Sequence, residues 1–73
     1  MSRVEKVLPA PRLREIEALA RQLLSRLKRI TPYTLGDRAK INWFLARDIL
    51  RGLVNKGDAA ALEDGYFGRP SRR

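Results

Sequence analysis

The chain has 73 residues, of which 44% are hydrophobic and 33% are charged, so it can bury one modest core and form one small domain. It contains no cysteine and no histidine, which excludes disulfides, the usual zinc sites and the common nucleophile-base pairs. Sixteen lysines and arginines against eight acidic residues give a formal net charge of +8, which attracts polyanions. Nucleic acid is therefore the expected partner, with acidic membrane surfaces and protein partners as alternatives.

The remaining candidates for acid-base chemistry are carboxylates, and their positions do not suit catalysis. Glu15 and Glu17 point to different sides of a predicted helix, while Glu63 and Asp64 fall in a predicted turn. No apolar run approaches the roughly 20 residues that span a bilayer, and residues 1–6 lack the apolar stretch of a secretory signal. We therefore expect a cytoplasmic protein that is not an enzyme and has no cofactor, no metal, no small-molecule substrate and no membrane contact.

The N-terminal half begins with a segment of little periodicity and continues into a strongly amphipathic stretch. Residues 1–11 carry Pro9 and Pro11 and are predicted to form an extended arm. Across residues 12–30, apolar side chains recur at three- and four-residue steps, which predicts a helix with one apolar face. That face is expected to pack against the core rather than a membrane interface, because two further apolar helices follow.

A second, short helix is predicted to begin at Pro32. The Thr31 side chain can accept a hydrogen bond from a free helical N–H, and proline fits the first helical position because its missing donor is not needed there. Leu35 and Ala39 supply the buried side of this helix. Gly36 lowers its stability unless a neighbouring helix approaches closely at that point.

The third predicted helix runs from Trp43 to about Lys56, with Asn42 as its N-terminal cap and Gly57 as its terminator. Its apolar side is rich in leucine and isoleucine, and its other side carries arginines. Together with the second helix and the turn between them, it forms a helix-turn-helix.

The C-terminal part is predicted to add a short hairpin and a tail. Asp64-Gly65 lies between apolar runs and is a hairpin signal, so a two-stranded wing is expected. The fold class is therefore mainly α: a three-helix winged helix-turn-helix over residues 12–68. Residues 69–73 are basic, lack apolar side chains and are predicted to form a flexible tail.

The outward side of the third helix carries the residues that best suit nucleic-acid contact. Arg47 and Arg51 stand one turn apart and can hold phosphates or a guanine edge, and Phe44 can stack on an unpaired base. In the alternative interpretation, Trp43 and Phe44 cover the first helix or the arm, and partial burial is expected for Trp43. Phosphate contacts beside the helix start or from the wing side are predicted for Arg38, Lys40, Lys56, Arg69, Arg72 and Arg73.

Residues 30–57 carry a pattern made of Ile30-Thr31-Pro32, Leu35, Arg38, Lys40-Ile41-Asn42, Leu45-Ala46-Arg47, Leu50-Arg51, Leu53 and Lys56-Gly57. This pattern resembles the central block of small-subunit (30S/40S) ribosomal protein twenty-five of archaea and eukaryotes. The resemblance implies a ribosomal winged helix that contacts small-subunit RNA, with Arg38, Lys40, Arg47 and Arg51 as RNA contacts.

Three functions remain open from the sequence. The first is an RNA-binding structural component of the small ribosomal subunit, with ribosomal RNA and neighbouring ribosomal proteins as partners. The second is a DNA-binding winged-helix transcription regulator, which would normally dimerise to read paired half-sites. The third is a protein-interaction winged helix, with Trp43 and Phe44 as the anchor of its interface.

Overall fold

A computed structural model describes residues 8–70 of the chain. The elements along the chain are α1 (Ala10–Arg26), β1 (Arg29–Ile30), α2 (Pro32–Ala39), α3 (Trp43–Lys56), β2 (Ala60–Ala61), a 3₁₀ turn (Glu63–Gly65) and β3 (Phe67–Gly68). The described part is therefore mainly helical. Its three strands form one small antiparallel sheet in the order β1-β3-β2.

The core lies where the three helices and the sheet meet. The apolar face of α1 is buried there, as its periodicity predicts. The buried apolar residues are Ile16, Ala20, Leu23, Leu24, Ile30, Leu35, Ala39, Leu45, Ala46, Ile49, Leu50, Leu53, Ala59 and Phe67.

No helix within residues 8–70 combines the length and apolar character needed to cross a membrane.

The start of α1 differs from the prediction. Residues 9–11 were expected to belong to an extended arm, but Pro9 is the N-cap and Pro11 lies in the first turn of the helix. Both positions tolerate proline because the first helical N–H groups have no partner within the helix. The rest of the predicted arm, residues 1–7, lies outside the described residues.

The end of α1 was also predicted wrongly. The helix stops at Arg26, and Leu27 has an extended backbone. Ile30 is buried, as the helical pattern required, but it reaches the core from strand β1. Ile30 lies opposite Phe67 of β3, and Arg29 lies opposite Gly68.

The predicted two-stranded hairpin is present as β2 and β3, and β1 pairs with β3 as a third strand that was not predicted. The predicted turn between β2 and β3 is confirmed. Asp64 and Gly65 both have positive φ, 60° and 80°, as in the tight turns that favour an Asp-Gly pair. The Tyr66 N–H donates to the Glu63 carbonyl at 3.1 Å and closes this turn. We refer to residues 60–68 as the hairpin.

The predicted ends of α2 and α3 are confirmed. The Thr31 side chain accepts from the Thr34 N–H at 3.4 Å, and α2 starts at Pro32. The Asn42 Oδ1 accepts from the Leu45 N–H at 2.8 Å, and α3 ends at Gly57 with a φ of 86°. These local bonds satisfy helical N–H groups that would otherwise lack a partner.

Gly36 allows α2 to pack closely against the segment that leads into α3. A Cβ at this position would lie 2.9 Å from the Ile41 carbonyl oxygen and 3.7 Å from the Ala46 Cβ. The 2.9 Å contact would be to backbone, which cannot rotate away as a side chain can. A glycine inside this helix was expected to mark a close neighbour, and the structure has such a neighbour at Gly36.

We expect Gly36→Ala to destabilise the protein by about 1 kcal/mol or more, because overpacking outweighs the gain in helix propensity. The matched control is Gly52→Ala in α3, where a Cβ would meet nothing within 4 Å. That change should stabilise the protein by about 0.5–1 kcal/mol. Urea unfolding followed by circular dichroism gives both values, and an unchanged or raised stability of Gly36→Ala would contradict the close packing.

Candidate nucleic-acid interface

Three aromatic side chains meet at the N-terminal end of α3. The rings of Tyr33 and Trp43 have centroids 6.1 Å apart, and Phe44 packs edge-on against Trp43 at 5.1 Å. Tyr33 is 74% exposed and Phe44 is 59% exposed, while Trp43 is half-buried. The predicted partial burial of Trp43 is confirmed. We call Tyr33, Trp43 and Phe44 the aromatic cluster.

Arg47 lies on this cluster. Its guanidinium carbon is 5.3 Å from the centroid of the Trp43 ring and 5.8 Å from that of Phe44, within cation-π range. The ion pair recorded for Arg47 within residues 8–70 is a long one, 3.7 Å to Asp48. The Arg47 Nε and the Trp43 Nε1 are buried donors with no acceptor in that part of the chain. Aromatic rings rather than a close carboxylate therefore hold this arginine.

Three further cations of the predicted site are exposed on α2, at its C-cap and on α3. Arg51 follows Arg47 by one turn of α3, Arg38 lies in the last turn of α2, and Lys40 forms the left-handed C-cap of α2. None of these side chains forms a hydrogen bond or ion pair with another described residue. They are thus available to an anion, and with Arg47 they form what we call the basic face.

Two other predicted contact residues have partners within the fold. The Lys56 Nζ lies 3.0 Å from the Oε2 of Glu17, whose residue exposure is only 9%. Because an unpaired buried carboxylate is strongly unfavourable, this lysine is needed where it is. The phosphate contact predicted for Lys56 stays a prediction, beside this ion pair.

Arg69 binds the end of α1. Its Nε donates to the Leu24 carbonyl and its Nη2 to the Ser25 carbonyl, both at 2.8 Å. These carbonyls lie in the last turn of α1, where helical acceptors lack partners and a positive charge is favourable. The prediction of a free tail is thus wrong at Arg69. The predicted contacts Arg72 and Arg73 lie outside the described residues.

The hairpin carries negative rather than positive charge. Glu63 and Asp64 at its turn are exposed, and residues 60–68 contain no lysine or arginine. Arg29 of the adjacent strand β1 lies over the Tyr66 ring at 4.6 Å. The hairpin itself therefore has no basic side chain that could make the phosphate contacts expected on the wing side.

A groove of about 410 Å³ separates α3 from the hairpin. One wall is basic and aromatic, and the other is apolar. Tyr33, Asn55 and this groove were not predicted as parts of the site, since the groove depends on how the hairpin folds back beside α3. The lining includes Trp43, Arg47, Arg51 and Asn55 from α3 and Ala61 and Phe67 from the hairpin.

Comparisons of the chain with protein-family models, with curated proteins and with solved structures returned no match in any of the three. The resemblance to ribosomal protein twenty-five therefore stays a prediction from residues 30–57. Residues 8–70 also contain no group of three or more acidic side chains arranged to hold a metal ion.

We expect Arg69→Ala to lower the free energy of unfolding by about 1 kcal/mol, because two carbonyls of α1 lose their donor. The control is Arg14→Ala, an exposed arginine of α1 that has no ion pair or hydrogen bond with another side chain among residues 8–70, and it should change stability by less than about 0.5 kcal/mol. Thermal and urea unfolding measure the difference. Equal stabilities of the two variants would show that the Arg69 bonds contribute nothing.

Proposed function

We propose that the protein is a winged-helix, RNA-binding structural component of the small ribosomal subunit, which holds ribosomal RNA through its basic face. It would act in the cytoplasm on the ribosome, beside neighbouring ribosomal proteins. The element order, with a short helix and turn before α3 and a hairpin after it, is consistent with a winged helix-turn-helix.

The proposal rests on one observation: Arg47 and Arg51 have no close carboxylate partner among the described residues. Both lie on the outward side of α3, one turn apart, and neither has a carboxylate within 3.5 Å among residues 8–70. An arginine with no strong internal partner can bind phosphate without first breaking an ion pair. The net charge of +8 then supplies the long-range attraction.

Two features favour RNA over the alternative of a DNA-binding regulator. The acidic hairpin turn repels a second phosphate backbone, whereas a duplex lying across both α3 and a wing would bring one there. A dimeric regulator also needs an apolar dimerisation surface. The apolar face of α1, which could have provided one, is buried in the core.

We expect the double substitution Arg47→Ala and Arg51→Ala to weaken RNA binding and to flatten its salt dependence by about two units of log K per unit of log salt concentration, one for each lost phosphate contact. Filter binding or fluorescence anisotropy with a small-subunit RNA fragment, repeated over a salt series, measures this slope.

The charge-matched control is Arg14→Ala with Arg26→Ala, which removes two exposed arginines of α1. It should lower the affinity slightly through the weaker overall field and should leave the slope near that of the unchanged protein. A larger effect of the control pair would move the interface to α1.

We also expect the full-length protein to co-sediment with small ribosomal subunits at moderate salt and not with large subunits. Ultracentrifugation of a purified mixture on a sucrose gradient tests this directly. A monomer that stays at the top of the gradient, yet protects a palindromic DNA duplex from cleavage, would replace the ribosomal proposal with the regulator.

A further inference from the structure

We infer that the groove between α3 and the hairpin receives one unpaired nucleobase of the bound RNA, while the flanking phosphates lie on Arg47 and Arg51. This inference rests on the proposed function and adds to it the kind of RNA element that is recognised. The basic face by itself would bind any phosphate backbone, so the groove supplies the selectivity.

The groove has the size and surface that such a ligand needs. Its volume of about 410 Å³ lies within the range of about 300–1,000 Å³ that is typical of small-ligand sites. Val54, Ala61 and the accessible part of Phe67 give the lining apolar surface, and Trp43 adds an aromatic ring to it. Asn55 offers both an amide donor and a carbonyl acceptor to a base edge.

The charges on the two walls of the groove determine on which side the phosphates of a bound RNA strand lie. The α3 wall carries Arg47 and Arg51, whereas the hairpin wall carries no charged side chain, since Glu63 and Asp64 line a separate depression beside Arg29. Phosphates are therefore attracted to the helix side of the groove. A nucleotide held by its phosphates on α3 then has its base directed toward the groove and the uncharged part of the hairpin.

This one-sided arrangement requires an unpaired base. In a continuous A-form duplex the bases are stacked and their edges are shared with the opposite strand, so no base is free to enter a groove. A bulged or looped nucleotide has no such restraint, and stacking it on an aromatic surface is favourable. The uncharged hairpin wall disfavours an acidic protein segment, whose carboxylates would have to lie along both walls.

Arg47 can bind a phosphate without leaving the aromatic cluster. Its Nε is buried, but the side chain as a whole is 36% exposed, so a phosphate would bind at the Nη groups. Because stacking uses the face of the guanidinium and hydrogen bonds use its edge, Arg47 can keep its ring contacts while it binds.

The test uses two RNA hairpins, one with a single unpaired nucleotide in its stem and the same hairpin with that nucleotide deleted. Trp43 is the only tryptophan in the sequence and lines the groove, so its fluorescence reports entry of a base. The unchanged protein should bind the bulged hairpin at least about fivefold more tightly than the paired one, the factor expected for one stacked base. The bulged hairpin should also quench Trp43 more strongly.

Ala61→Phe fills the groove from an exposed strand position without changing any charge. We expect it to abolish the preference for the bulged hairpin and its quenching, and to leave the affinity for the paired hairpin and the salt slope unchanged. The control is Ala18→Phe, the same substitution at an exposed position of α1, which should behave as the unchanged protein. Asn55→Ala removes the polar edge while leaving the groove open, and it should reduce the preference without affecting the fold.

The outcomes separate this inference from the proposed function. Equal affinity of the unchanged protein for both hairpins, with binding retained, would overturn the groove site and leave RNA binding intact. The same conclusion would follow if Ala61→Phe kept the preference and the quenching. Failure to bind either hairpin or the small subunit would overturn both proposals.

Discussion

The close packing of α2 against the start of α3 at Gly36 determines where the functional side chains can lie. Since a Cβ there would stand 2.9 Å from the Ile41 carbonyl oxygen, only glycine allows this separation without a shift of the backbone. Tyr33 lies one turn before Gly36, so the same approach brings its ring to within 6.1 Å of Trp43. If α2 moved outward, Trp43 would lose its contact with Tyr33, whereas the contacts of Arg47 with Trp43 and Phe44 lie within α3.

What distinguishes Arg47 from other arginines of this chain is the kind of contact that holds it. Arg21 lies 3.0 Å from the Asp58 carboxylate, and a phosphate would have to replace that partner. Arg47 lies on the faces of Trp43 and Phe44, and its hydrogen-bonding edge has no close acceptor in the described part of the chain. A ring contact of this kind contributes roughly 0.5–1 kcal/mol at an exposed site, enough to orient the side chain and compatible with a bound anion. The aromatic residues therefore act on the basic face by positioning it.

The sequence predicts best those parts of the fold that are decided locally. The ends of α2 and α3 follow from Thr31, Asn42 and Gly57, each of which acts on backbone groups within a few positions of itself. The end of α1 could not be predicted in this way, because Ile30 continues a helical spacing although its burial comes from pairing with Phe67, far along the chain. The basic face could be anticipated from the outward side of one helix. The roles of Lys56 and Arg69 depend on contacts across 39 or more positions, which no local pattern contains. The groove depends on how the hairpin folds back beside α3.

The cations discussed above thus form two groups: those that already have a close internal partner among the described residues and those that do not. Arg21, Lys56 and Arg69 make internal contacts around the junction of α1 with the C-terminal end of α3, and those contacts stabilise the fold. At the basic face, the cations have no comparable partner among residues 8–70. The long-range field of a +8 chain attracts a polyanion to the whole molecule, but it does not decide where the anion stays. At the basic face a phosphate gains charge-assisted hydrogen bonds without displacing internal ones, and it also meets the groove between α3 and the hairpin, which the exposed arginines of α1 do not line.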